Sequence, residues 1–261
     1  MKATSDKGTY HYNAQGFGLS AEFHRPIQHL IEVQAGVSLP TIGGHGNARV
    51  DRFRFQEFVS FDTAYSHVSG SRSPEDGAYT TLVTATVEGL NVLDVVTADR
   101  VVARLASRHP AEHNEPHILL LGSKFDNLQI AGCRVDVELD HELFLRLDTF
   151  EAVLKELDNN AEFRKMAEDP YQTGQKIKLD KSARVVLCSL VKDMKTACPG
   201  VKRRGHSFYV PEFGEVFVAE VLAQHSRRTL TMLRIELGCP VSAAIAIAQG
   251  QGNGSPWPPR P

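Results

Sequence analysis

The clearest pattern in the chain lies at residues 133–140, CRVDVELD. Cys133, Val135, Val137 and Leu139 alternate there with Arg134, Asp136, Glu138 and Asp140. Successive side chains of a strand point to opposite faces, so this stretch predicts a strand with one buried and one wet face. The same parity continues through Leu143, Leu145 and Leu147. Residues 79–88 (YTTLVTATVE) and 94–106 (DVVTADRVVARLA) carry Thr- and Val-rich strand patterns, and 117–122 and 125–132 add shorter ones. Residues 214–225 and 228–237 predict two long strands joined as a hairpin around Ser226 and Arg227. In the first third, 18–34 and 49–61 are expected strands. Within the second of these, RFRFQEFVSF reads as one core strand with a slip near Glu57.

One segment departs from period two. Over 148–169, apolar side chains fall at Phe150, Val153, Leu154, Leu157, Ala161 and Met166, which is helical spacing with one core-facing stripe. Asp148 with Glu151 suggests a capping box, and Pro170 ends the segment. A charged, exposed stretch follows to Arg184. From Gly250 the sequence GQGNGSPWPPRP has no periodicity and predicts a flexible tail passing into a polyproline segment. The expected architecture is mainly β: an antiparallel β-sandwich or barrel-like core with one inserted amphipathic helix at about 148–168. One β-rich domain over 1–249, with a helical insertion at about 148–180, precedes the tail at 250–261.

Composition narrows the classes. In 261 residues, 42% are hydrophobic, enough for a sizeable core, and the net charge of -2 argues against nucleic acid as a partner. The chain has no run of about 18 apolar residues, so no membrane span is expected. The start MKATSDKGTYHYNAQG has no apolar region of a secretory signal. A cytoplasmic location is therefore expected unless the sequence is a trimmed mature or surface form. Cys133, Cys188, Cys198 and Cys239 form no CxxC pair and read mostly as buried thiols. A Cys188–Cys198 bridge would need an oxidising compartment.

Two stretches carry a resemblance. GAYTTLVTATVEGLNVLDVVTADRVVARLAS, followed by GSKFDNLQIAGCRVDVELD, within 77–139, resembles bacterial surface proteins of the choice-of-anchor type. The resemblance implies a β-rich fold and no catalytic residues. That family carries a secretion signal and an anchor, and this sequence shows neither.

The candidate chemistry begins at HPAEHNEPH, residues 109–117. On a helix, His109 and His113, or His113 and His117, would share a face and can chelate one divalent metal. All three cannot easily reach one ion, because the ends would lie about 12 Å apart at ~1.5 Å rise per residue. Pro116 also disfavours a helix at Glu115, so a polar connecting loop is the simpler reading. The acidic row Asp136, Glu138, Asp140 and Glu142 spaces carboxylates ~6.7 Å apart along one face. With added oxygens it can hold a cation or dock a basic surface, and otherwise it is a solvated face. Lys202, Arg203 and Arg204 form a basic cluster that can oppose that row in an oligomer. Arginine–aromatic interleaving at 52–61 suggests a stacking platform, but its pattern fits a core strand better. PTIGGHGN at 40–47 reads as a flexible turn. Trp257, the single tryptophan, is exposed or anchors the tail in a neighbouring subunit.

The expected function is non-enzymatic: a structural or interaction protein that assembles with itself into a homo-oligomer or filament, with no cofactor. The alternatives are a metal-dependent hydrolase, combining the loop histidines with His45 or His206, and a ligand- or carbohydrate-binding module.

Overall fold

Alternating burial is carried through most of the chain, with strands making up 61% of it and helices 10%. The computed structural model describes residues 9–111, 115–174, 176, 179 and 184–257. In chain order the elements begin with β1 (Thr9–Tyr12), β2 (Gln15–Arg25), β3 (His29–Gln34), β4 (Val37–Ser38), β5 (Gly44–Phe55), β6 (Val59–Arg72), β7 (Tyr79–Val92) and β8 (Val96–His109). There follow β9 (His117–Leu119), β10 (Lys124–Asp126), β11 (Gln129–Ile130), β12 (Cys133–Leu139), α1 (His141–Arg146), α2 (Phe150–Asn159) and α3 (Ala161–Glu168). The chain then forms β13 (Val185–Ser189), β14 (Val191–Thr196), β15 (Lys202–Arg204), β16 (Ser207–Val210), β17 (Gly214–Gln224), β18 (Arg227–Leu237), β19 (Ser242–Gly252) and β20 (Gly254–Trp257).

A front sheet runs in the order β14-β12-β11-β8-β7-β6-β5, with β9 and β10 also on β8. A back sheet runs β15-β16-β17-β18-β19-β2-β3, with β13 on β17 and β4 on β2. All pairings are antiparallel. The sheets face each other, β2 against β6 and β7, and β19 against β7 and β8. Between them lie Val83, Val87, Val101 and Leu105 from the front, and Leu19, Phe23, Leu233 and Ile247 from the back, each at most 1% exposed. Burying one such side chain contributes about 1.5–3 kcal/mol, so this layer holds the fold together. The sheets do not close into a barrel.

The two sides of the sandwich differ. On one side the chain passes straight from β13 in the back sheet to β14 in the front sheet through the fully buried Leu190. Its N–H donates to Ala219 O at 2.9 Å, and its carbonyl accepts from Asp140 N at 2.7 Å. The other side is more open among the described residues, although β4 of the back sheet packs against β5 and β6 there. There β3 and β5 end their sheets, linked by the His29 ring stacked on Phe55 at 4.6 Å.

Strict alternation is interrupted along one row in each sheet. In the front sheet the inward side chains run Val59, Phe61, then Ala64; Val83, Ala85, Val87, then Leu90; Val96, Ala98, then Val101. The skipped row holds Arg52 (φ 55) and Gly89 (φ 64). The back sheet has the equivalent row at Ala219 (φ 49) and Ala248 (φ 48). The pairing register is unbroken across each row, so neighbouring strands shift their facing by one position together, unlike at a bulge, where one strand gains a residue. Both layers are therefore creased, and long strands keep their apolar sides on the core.

Several expectations are corrected. The single helix at 148–168 is two helices, because Asn160 ends α2 and its Oδ1 accepts from Glu162 N and Phe163 N to start α3. A third helix, α1, replaces the strand expected through Leu143 and Leu145, where the Asp140 carboxylate caps Leu143 N at 2.9 Å. The α2 cap is Thr149, not Asp148. RFRFQEFVSF is a hairpin, not one strand: Phe53 opposes Phe61 and Phe55 opposes Val59. The tail expected to be flexible from Gly250 instead completes β19 and forms β20, which pairs with β1. Residues 258–261 lie outside the described residues.

Candidate functional site

The open side presents β5, twelve residues long, with one neighbouring strand, β6, among the described residues. An unpaired strand edge offers a row of backbone donors and acceptors to another chain. Val50 and Phe53 pack against the core and fix the facing of β5. Arg49 and Asp51 therefore lie on its outer face, with side chains 64% and 49% exposed and 2.9 Å apart. The Asp51 carboxyl is held below the usual range by hydrogen bonds from Arg49 and Thr63. Asp51 thus stays ionised, with a cation two residues before it. His45, at the start of this strand, is exposed.

The histidine-rich stretch is divided by the sheet. His109 closes β8 at 3% exposure, its ring 5.4 Å from that of Tyr10. His117 stands opposite Arg108 in β9, so alternation places it on the other face of the sheet from His109. His113 lies outside the described residues. His117 Nδ1 is 2.6 Å from Asp148 Oδ2, and Ile118 N donates to Asp148 O. The Glu115 carboxylate accepts from the first two N–H groups of α2, at 3.2 and 3.3 Å, and meets His225 Nε2 at 3.1 Å. A negative group at a helix start is favourable. The visible part of this stretch docks α2 onto the sandwich. Among the described residues, no three His, Cys, Asp or Glu side chains are grouped to hold a metal.

The acidic row is split and neutralised. Asp136 pairs with Arg134 at 3.0 Å, Glu138 with Lys192 at 2.6 Å, Asp140 caps α1, and Glu142 sits in that helix. Of the basic cluster, Arg203 reaches Asp193 at 2.6 Å and Met194 O at 2.9 Å, while Arg204 lies over the Tyr209 ring at 4.5 Å. The two patches are thus engaged within one chain, with β14 between them. Lys202 is exposed on β15. Trp257 pairs through its backbone with Thr9.

Sequence reasoning missed a charged cluster on the outer face of the back sheet. Arg234 grips Glu220 through Nε at 2.6 Å and Nη2 at 3.0 Å, and stacks on Phe217 at 3.6 Å. His206 Nε2 and Tyr171 Oη each lie 3.2 Å from Glu220 Oε1. Burial raises the Glu220 pKa, but the His206 and Arg234 hydrogen bonds outweigh it and hold the carboxyl down at about 2. Burial together with the Glu220 charge pushes the Tyr171 hydroxyl up to about 12. The cluster walls an open cleft of about 500 Å³ floored by Leu222, Thr229 and Thr231. Because Glu220 is engaged on both oxygens, it is a buttress here and not an available base. His206 and His45 stand at opposite sides of the sandwich, on the β16 side and on β5.

Cys133 and Cys198 form a disulfide with Cα atoms 5.5 Å apart. It replaces the Cys188–Cys198 pairing considered above, because β12 and β14 are neighbours, with Val135 opposite Thr196. Cys188 is buried in the back sheet, and that burial pushes its thiol up to about 12. Among the described residues, no helix is long and apolar enough to cross a membrane.

The family model described as Domain of unknown function (DUF8256) matches residues 10–224. No curated protein matches the chain, and no solved structure matches it. The matched segment contains every strand of the front sheet, the open β5 edge and the three helices, while β18, β19 and β20 follow it. The match covers well over half of the chain, which therefore belongs to the DUF8256 family.

Proposed function

We propose that the protein is a non-enzymatic interaction module that associates with copies of itself through the free edge of β5. One observation carries this reading: β5, twelve residues long, ends the front sheet with β6 as its one paired strand among the described residues. The charges on that edge fit a second copy. If β5 meets β5 of another copy antiparallel about a two-fold axis at Val50, Arg49 of each copy faces Asp51 of the other. Like-charge pairs at directly opposed positions are destabilising, and opposite charges favour the register. The metal-dependent hydrolase reading has less support, since His109 and His117 lie on opposite faces of the sheet and, among the described residues, no three His, Cys, Asp or Glu side chains are grouped to hold a metal.

Size-exclusion chromatography with light scattering tests the proposal. The wild-type chain is expected to run as a dimer or larger. Arg49→Asp is expected to release monomers, and the double reversal Arg49→Asp with Asp51→Arg to restore the assembly. A wild-type monomer at high concentration, or an assembly indifferent to the single reversal, would overturn the proposal.

A further inference from the structure

At one end of the sandwich, four separate stretches enclose a recess of about 420 Å³. These are the β17–β18 turn, the start of β13, Asn13 between β1 and β2, and the Asn253–Ser255 segment. Among the described residues no carboxylate lines it, although the chain as a whole carries a net charge of -2. Arg184, Arg227 and His225 do, with the hydroxyls of Ser226 and Ser255.

The recess is rigid at its base. Asn253 is 1% exposed and holds a backbone of φ 138. Its amide nitrogen donates to Ser226 O at 2.6 Å and Gly254 O at 2.5 Å. Its oxygen accepts from Tyr10 Oη at 3.0 Å and Ser107 Oγ at 3.4 Å. The donors above this base are largely unspent. Arg227 donates Nε to Gln224 Oε1 at 2.8 Å, which orients its guanidinium, while its two terminal nitrogens have no acceptor among the described residues. Arg184 and both serine hydroxyls likewise have no hydrogen-bond partner among the described residues. Arg228, 1% exposed, lies beneath the same turn, with Nη1 donating to Gln224 O at 2.6 Å and Arg227 O at 3.3 Å. Its Nη2 has no hydrogen-bond partner among the described residues. The carboxylates nearby are already engaged, Glu115 with His225 and the α2 N-terminus, and Asp148 with His117.

We infer that this recess binds a small molecule bearing a tetrahedral oxyanion, a phosphate or sulfate group. Guanidinium and hydroxyl donors on the recess wall match that chemistry, since planar guanidinium forks pair with such oxygens and the nearby acid Glu115 is spent on His225 and α2. The volume exceeds what a bare anion needs and falls within the range of small-molecule pockets. The inference is independent of the β5 edge, which lies in the other sheet.

Calorimetric titration of the full chain with inorganic phosphate, a hexose monophosphate and the neutral hexose tests it. Both phosphate-bearing probes are expected to bind tighter than ~1 mM and the neutral hexose not at all. Arg227→Gln and Arg184→Ala are each expected to weaken binding ~10-fold or more, with the melting temperature of the probe-free protein unchanged. Arg134→Ala, in a surface ion pair of the front sheet, is expected to leave binding unaltered. Tighter binding of the ester identifies a ligand that fills the recess, and equal binding identifies a free anion; both support the inference. No saturable heat with either anion, or the same weakening in Arg134→Ala, overturns it.

Discussion

Glu220 sits in the apolar run VFVAEVLAQ with only 8% of its side chain exposed, and its charge survives there because Arg234 and His206 meet it. The direction of its pKa fixes the pH dependence. The folded value, about 2, lies below the usual 4.5, so the contribution of Glu220 to stability is complete above 4.5. It is lost as pH falls from 4.5 through about 2. Glu220→Gln takes the buried carboxylate from Arg234, which keeps its ion pair with the exposed Glu236. It is expected to cost ~1.5–3 kcal/mol at neutral pH and to flatten the loss of stability across that acid window. Urea unfolding as a function of pH checks both. The sequence displays a carboxylate among apolar residues but conceals its partners. Arg234 is not directly opposite Glu220; Thr231 is. The meeting depends on the shift at Ala219, which no alanine announces.

The creases belong to the scale of strands. Period two was readable at 133–139 and 101–105 because those stretches lie wholly on one side of the interruption. It failed at 52–61, where a turn through Gln56 (φ 49) reverses the chain while keeping odd residues inward on both arms. It failed again at 141–146, where one capping aspartate converts an alternating pattern into a helix. The helices at 150–168 were legible from their spacing, and the break was signalled only by Asn160. Gly89 tests the crease directly. Its φ of 64 suits glycine, and an added Cβ would overlap the Asp62 carboxylate on β6. Gly89→Ala is expected to destabilise the protein by at least ~1–2 kcal/mol, measured by chemical denaturation. An unchanged midpoint would mean that the row is tolerant of ordinary residues.

For the molecule as a whole, the layered sheet body was readable from pattern alone, but which strands lie side by side was not. Adjacency joins distant segments: β12 pairs with β14 across three helices, and β2 pairs with β19 near the far end. The Cys133–Cys198 link locks the first of these junctions, closing a separation of 65 residues around α1, α2 and α3. From loop length, breaking it is expected to cost about 4 kcal/mol, read as the shift between oxidised wild type and Cys133→Ser in urea. The second junction bears on biosynthesis. Front strands β5, β6, β7 and β8 are consecutive hairpin partners and can zip together as they leave the ribosome. The back layer cannot close in the same way: β15 to β19 are consecutive neighbours, but β2 lies between β3 and β19. During translation the N-terminal strands must wait, half-covered, for the last long strand to be made. The nascent chain is therefore exposed to misassembly at β2 until β19 has been made.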